Sequence, residues 1–170
     1  MRPKNFTILI ADDDPNDRRM IEASFRRSGV TNPIHAVESG EEAIAYLEGK
    51  GEYADRKHFA YPSYIICDLK MPRGDGFAVL QHLKSRPEWA VIPTVILSGS
   101  GDLDDIKKAY ILGASSYIVK PTDLEGLRRI TKVLFDFWSE CEVPEVDESG
   151  KQLITESAGK LGAGIPQPGA

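Results

Sequence analysis

Thr7-Ile8-Leu9-Ile10-Ala11-Asp12-Asp13-Asp14-Pro15 decides how the rest of this chain is read, because its character changes abruptly after Ala11. Thr7 to Ala11 is mostly apolar, which suits a strand buried on both faces. Three aspartates follow. Asp14 stands where a helix N-cap belongs, with Pro15 at the first helical position and Asp17 in the first turn. The spacing therefore predicts a strand that passes through carboxylates directly into a helix.

Outward from there the pattern repeats. The first helix carries Ile21 and Phe25 four residues apart and stops at Gly29. A second strand, Ile34 to Val37, follows Pro33, and Ser39 caps a second helix with Glu42 completing a capping box. That helix fades at Gly49 and Gly51. A long polar stretch, 51–63, then leads to the third strand, Tyr64-Ile65-Ile66-Cys67-Asp68. A third helix is expected from about Gly76 to Ser85, and a fourth strand from Thr94 to Leu97, ending at Ser98. Asp102 can cap a fourth helix that ends near Leu112 and Gly113. Ser116 to Lys120 reads as a fifth strand and Asp123 to Glu140 as a fifth helix. Strands alternating with helices predict an α/β fold with a parallel sheet covered on both faces.

The chain has 170 residues, enough for one ordinary domain, expected over 1–144. After Pro144 the composition shifts to Glu, Asp, Ser, Gly and Pro, so 145–170 is expected to be an extension rather than an independent domain. Roughly 26 residues are too few for a helix-turn-helix output domain. A net charge of −5 argues against binding nucleic-acid backbones, which needs a basic face. No apolar run approaches the roughly 20 residues of a membrane span, and the opening MRPKNFTILIADDD is no signal peptide. Cys67 and Cys141 fit no metal or disulfide spacing, which suits a reduced, cytoplasmic protein. His35, His58 and His82 also lack metal-ligand spacing and read as surface or packing residues, while Cys67 reads as a small strand hydrophobe.

In an open parallel sheet, function gathers at the carboxyl ends of the strands. The first strand ends in Asp12 and Asp13, the third in Asp68, the fourth in Ser98 and the fifth in Lys120. Converging carboxylates repel at neutral pH and invite a hard divalent cation with oxygen ligands, Mg²⁺ first. A lysine and a hydroxyl facing that cation make a phosphoryl site: the ammonium neutralises oxygens and the hydroxyl donates a hydrogen bond. A carboxylate can accept the group as an aspartyl phosphate. Taken singly, each residue has a plainer reading as a helix cap, turn residue or solvated lysine. Their arrival at the ends of four strands, in this order, does not.

Four segments carry a family resemblance: Ile8-Leu9-Ile10-Ala11-Asp12-Asp13-Asp14; Asp68-Leu69-Lys70-Met71-Pro72 with Gly74-Asp75-Gly76; Val95-Ile96-Leu97-Ser98-Gly99; and Gly113-Ala114-Ser115-Ser116-Tyr117-Ile118-Val119-Lys120-Pro121. In order and spacing they resemble the response-regulator receiver domain of two-component signalling, over about Thr7 to Glu140. The resemblance implies a doubly wound sheet of flavodoxin-like order 2-1-3-4-5 with five helices. It implies Asp68 as phosphoacceptor, with Mg²⁺ held by Asp13, Asp68 and the backbone carbonyl of Lys70, and by Asp12 mainly through water. Ser98 and Lys120 would hold the phosphoryl oxygens, Ser98 and Tyr117 would form the switch, and Lys120-Pro121 would be cis. Serine at 98, where many relatives have threonine, keeps the hydroxyl. Such a protein is a signalling switch and not an enzyme, phosphorylated by a sensor histidine kinase. Its output face would comprise the fourth helix, fifth strand and fifth helix.

The long stretch before the third strand, and Phe137-Trp138-Ser139-Glu140 followed by Pro144, look like stand-alone receivers that partner phytochrome-type histidine kinases. The plainer reading of most of the stretch is a solvated loop. In the last helix, at about 100° per residue, Leu127, Ile130, Leu134, Phe137, Trp138 and Cys141 share a core face. Phe135 lies off that face and Val133 flanks its opposite edge. An exposed aromatic there points to a protein interface, the alternative being a half-buried side chain. A homodimer through Val133 and Phe135 is the expectation, helped by the tail, where Gln152-Leu153-Ile154-Thr155 is the one apolar stretch.

Three other functions fit less well. A haloacid-dehalogenase-type phosphatase needs a second aspartate two residues past the nucleophile, where this chain has Lys70. A flavodoxin needs a Ser/Thr/Gly-rich phosphate loop after the first strand, where this chain has aspartates and a proline. A receiver fold that binds without being phosphorylated would not need the acceptor residues, all of which are present.

Overall fold

In the computed structural model, which describes residues 6–143, five parallel strands lie in the order β2-β1-β3-β4-β5. They are β1 (Ile8–Ala11), β2 (Ile34–Val37), β3 (Tyr64–Cys67), β4 (Thr94–Ser98) and β5 (Ser116–Val119). The helices are α1 (Pro15–Arg27), α2 (Gly40–Glu48), α3 (Gly76–Lys84), α4 (Pro87–Ala90), α5 (Leu103–Ile111) and α6 (Leu124–Glu140). The order reverses beside β1, which pairs with β2 on one side and β3 on the other, placing Ala11 level with Val37 and Cys67. Asp12 and Asp68 therefore leave the sheet side by side.

Alternation along the strands divides the core in two. Leu9, Ala11, Ile65 and Cys67 face α2 and α3, against Tyr46, Leu47, Val79 and Leu80. Ile8, Ile10, Ile66, Val95 and Leu97 face α1 and α6, against Ile21, Phe25, Leu127 and Trp138. The expected caps form at Asp14, Ser39 and Asp102, and Asp75 and Asp123 cap two further helices; each accepts a backbone N–H bond at a helix start. The capping box closes one residue early, with Glu42 Oε2 accepting from the Glu38 N–H at 3.0 Å.

Three expectations need correction. Among the described residues there are six helices, not five, because Pro87 starts the short α4 and Trp89 is buried within it. The 51–63 stretch is only partly a solvated loop. Gly51–Ala54 forms a 3-10 turn, and Tyr53, Phe59 and Tyr61 pack on the core. Arg56 holds the stretch down by donating to the Leu47 carbonyl at 2.6 Å and lying 4.1 Å from the Tyr61 ring centroid.

The third correction concerns α6. Its buried residues are Leu127, Thr131, Leu134 and Trp138, while Phe137 is 64% exposed and Phe135 is half-buried against the core. Thr131 explains the rotation. Its hydroxyl donates to the Leu127 and Arg128 carbonyls at 3.1 and 3.0 Å, so a polar residue sits inside with its own helix satisfying it. The inward face is thereby centred nearer Phe135 and farther from Phe137. Val133 is exposed, as expected at the edge. The extension at 145–170, with Gln152 to Thr155, lies outside the described residues.

Candidate functional site

The carboxyl ends of β1, β3, β4 and β5 converge on one acidic depression. Asp12 and Asp68 are buried and Asp13 is exposed at its rim. Carboxylate oxygens of the three lie within 4.8 Å of one another. Into this cluster reaches Lys120, whose Nζ is 2.7 Å from Asp12 Oδ2, 2.7 Å from Asp17 Oδ2 and 3.1 Å from Asp68 Oδ2. Three carboxylates thus share one ammonium.

The backbone fixes where these groups point. The Asp68 N–H donates to the Ala11 carbonyl at 2.8 Å, and Asp68 Oδ1 accepts from the Leu69 N–H at 2.7 Å. Asp12 Oδ1 accepts from the Asp14 N–H at 2.9 Å, while Arg18 donates to the Asp12 carbonyl at 2.7 Å. Gly76 is required by close approach. A Cβ there would stand 2.3 Å from the Asp68 carbonyl oxygen. The turn after β3 docks on the start of α2, where the Gly40 N–H donates to the Gly74 carbonyl at 2.9 Å.

Burial pushes the Asp12 carboxyl above the ordinary carboxylate value, and the Lys120 hydrogen bond offsets only part of that. Burial alone would depress the Lys120 ammonium. Its hydrogen bonds to Asp12 and Asp17 outweigh that and hold its pKa above the usual lysine value, so Lys120 stays charged. Hard oxygen donors this close, with too little positive charge among them, fit a divalent cation such as Mg²⁺. Beneath them, burial raises the Cys67 thiol, which packs as an inert strand residue.

Ser98 is fully buried at the end of β4, and its carbonyl accepts from the Lys120 N–H at 2.7 Å. Its Oγ accepts from the Ser100 N–H at 3.3 Å, a bond that leaves the hydroxyl proton unused. Tyr117 on β5 is half-buried, and its hydroxyl donates to the Ser100 carbonyl at 2.8 Å. Ser100 Oγ also donates to Asp105 at 2.7 Å, and the Lys70 ammonium lies 3.5 Å from the same oxygen. A continuous polar path thus joins the residue two past Asp68 to the ring of Tyr117.

The structure brings Asp12, Asp13, Asp68 and Lys120 together as expected, with Ser98 beside them by strand register. One expectation at the site fails. The Lys120–Pro121 bond is trans, the form favoured even before proline. One residue was missed: Asp17, read from sequence only as a first-turn acid. The available signal was its place in the first helical turn, just after the strand that ends in Asp12 and Asp13.

Comparison with known proteins gives the same picture. The family model of the response regulator receiver domain matches residues 8–132. Rcp1, a response regulator of Synechocystis, is 30% identical over 133 residues, 78% of this chain and 88% of the relative. A probable methanogenesis regulatory protein, FilR2 of Methanothrix harundinacea, is 32% identical over 136 residues, 78% of this chain and 83% of that one. Among solved structures, the phosphorylated cyanobacterial phytochrome response regulator RcpA superposes with a TM-score of 0.78. It is 36% identical, with 84% of this chain and all of that one covered. The Mn²⁺-bound form of Rcp1 superposes at 0.75, with 29% identity and coverage of 82% and 99%.

Proposed function

Because this chain belongs to the response regulator receiver family, we propose that it is a phosphorylation-operated switch in which Asp68 accepts a phosphoryl group from a sensor histidine kinase. The observation that carries this reading is the meeting of Asp12, Asp13, Asp68 and Lys120 at one depression, with a buried hydroxyl alongside. An Asp68 carboxylate oxygen attacks the phosphorus of a phosphohistidine. The new P–O bond forms as the P–N bond breaks, and the departing imidazole takes a proton from water. Lys120 neutralises one phosphoryl oxygen and the Ser98 hydroxyl donates to another. Mg²⁺, held by Asp13, Asp68 and the Lys70 carbonyl and supported by Asp12, would supply the remaining positive charge; the Mn²⁺-bound form of Rcp1 supports such a site.

Ser98 moving toward the phosphoryl group draws on Ser100 and hence on the Tyr117 hydroxyl, biasing the face of α5, β5 and α6. That face exposes Leu103, Ile111, Val119, Val133 and Phe137. A homodimer through α6 would use Val133 with Phe137, one helical turn apart, rather than Phe135. The likeness to RcpA supports a phytochrome-type kinase as the partner. A cytoplasmic location and no role in nucleic-acid binding complete the reading, the latter in keeping with a net charge of −5.

The test is modification by acetyl phosphate with Mg²⁺, read by intact mass. The parent gains one phosphoryl group and Asp68→Asn gains none. An Asp68→Asn protein modified like the parent overturns the assignment.

A further inference from the structure

We infer that Asp17 is a positioning residue for Lys120, holding its ammonium to one side of the depression and so strengthening cation binding while weakening capture of the phosphoryl group. The inference rests on the phosphoryl-acceptor reading and goes beyond it. Asp17 is the third residue of α1, where an acidic side chain commonly turns back to cap its own helix. Here it turns outward, accepting from Lys120 across 103 residues of sequence at 2.7 Å. That contact is as short as the one to Asp12 and shorter than the one to Asp68.

Each proton of an ammonium can be given once. Asp12, Asp17 and Asp68 between them can occupy all three on Lys120. Asp12 and Asp68 belong to the cluster of carboxylates that lie close enough to share a cation, whereas Asp17 does not. A cation seated there competes with Lys120 for Asp12 and Asp68, and Asp17 gives the displaced ammonium somewhere to stay. The same hold must be loosened when Lys120 turns to a phosphoryl oxygen. Asp17 therefore has effects of opposite sign on the two ligands. A residue that merely supports the fold would move both the same way.

Calorimetric titration separates these cases on the full chain, with Mg²⁺ alone and then with beryllofluoride at saturating Mg²⁺. In Asp17→Asn, Mg²⁺ should bind about 3- to 10-fold more weakly and beryllofluoride about 3- to 10-fold more tightly, the size of a partly screened contact between charges. Asp17→Glu should restore the parent values, and Asp17→Ser serves if the asparagine variant folds poorly. With Lys120→Gln as background, removing the Asp17 charge should lose most of its effect on Mg²⁺, since the two residues act as a pair. Affinities that stay unchanged or fall together overturn the inference, as does an equal Mg²⁺ loss without Lys120. Failure of the parent to bind beryllofluoride would instead overturn the acceptor reading, and the Mg²⁺ titrations in both backgrounds would still decide the role of Asp17.

Discussion

The two ends of β3 are about 13 Å apart along an extended chain and could hardly be less alike. At its start, the Tyr64 ring stacks on Trp138 with centroids 4.2 Å apart, Trp138 lies parallel to Phe25 at 6.0 Å, and Phe6 meets Tyr64 edge-on. The Tyr64 hydroxyl donates to the Trp138 carbonyl at 3.1 Å, so the phenol within the stack is satisfied. At its end, Asp68 joins the other carboxylates around Lys120. The aromatic end is apolar, packed and neutral. The acidic end gathers like charges whose mutual repulsion opposes folding until a cation or phosphoryl chemistry makes use of it. Stability and function therefore occupy opposite ends of the same central strands, which lets one change without the other.

Trp138→Ala tests that separation most severely. Losing an indole from the aromatic end should lower unfolding free energy by about 3–5 kcal/mol in urea titrations, while the folded protein keeps its beryllofluoride affinity. A parallel loss of affinity would break the comparison. At the acidic end, Mg²⁺ at ten times its dissociation constant should raise stability by about 1.4 kcal/mol and EDTA should reverse it. The increment should be the same in parent and Trp138→Ala, because the sites are far apart, and should shrink in Asp13→Asn.

Phe137, beside Trp138 but facing outward, sharpens the aromatic end. Phe137→Asp should weaken self-association on the order of tenfold in sedimentation runs without destabilising the chain, whereas Phe135→Asp should destabilise it. Lys70→Asn should shorten the life of the phosphorylated state by a few-fold, because the long cationic side chain no longer screens Asp68 from water. A lifetime unchanged or longer in mass-spectrometric decay would count against that shielding.

The smallest effect belongs to a third region, at the β2 edge. Burial, and then the neighbouring His58, lower the His35 pKa below its ordinary value. The unfolded chain then binds more protons, so this stability is present above about pH 6.5 and is lost as pH falls below it. His82, lowered mainly by burial, acts in the same direction. His35→Phe should flatten the fall in melting temperature between pH 7.5 and 5.5. An unaltered slope would leave the dependence to His82.

How far the sequence reached differs between these regions. The acidic end was nearly all legible, because Asp12, Asp13, Asp68, Ser98 and Lys120 each stand at the end of an apolar run, and parallel strands bring such ends together. Asp17 escaped because a first-turn acid ordinarily serves its own helix, and nothing local says that it faces β5. The aromatic stack escaped too. Tyr64 and Trp138 are far apart in sequence, and each reads alone as an ordinary core residue. On α6, counting apolar residues misjudged the inward face because Thr131 was scored as polar although its hydroxyl bonds back to its own helix. Phe135 and Phe137 exchanged roles as a result.

What the sequence determined by itself is whatever follows from short-range chemistry and strict alternation. Buried strands, the helix caps, a parallel sheet and the carboxylates at the strand ends all come from patterns of a few residues repeated along the chain. The tertiary structure alone decided how side chains from separate elements share a partner: which way α6 turns, and that Lys120 answers to Asp17 as well as to Asp12 and Asp68. Those outcomes depend on distances between segments up to a hundred residues apart. Such distances are set by packing the two faces of the sheet simultaneously, and no local pattern encodes them.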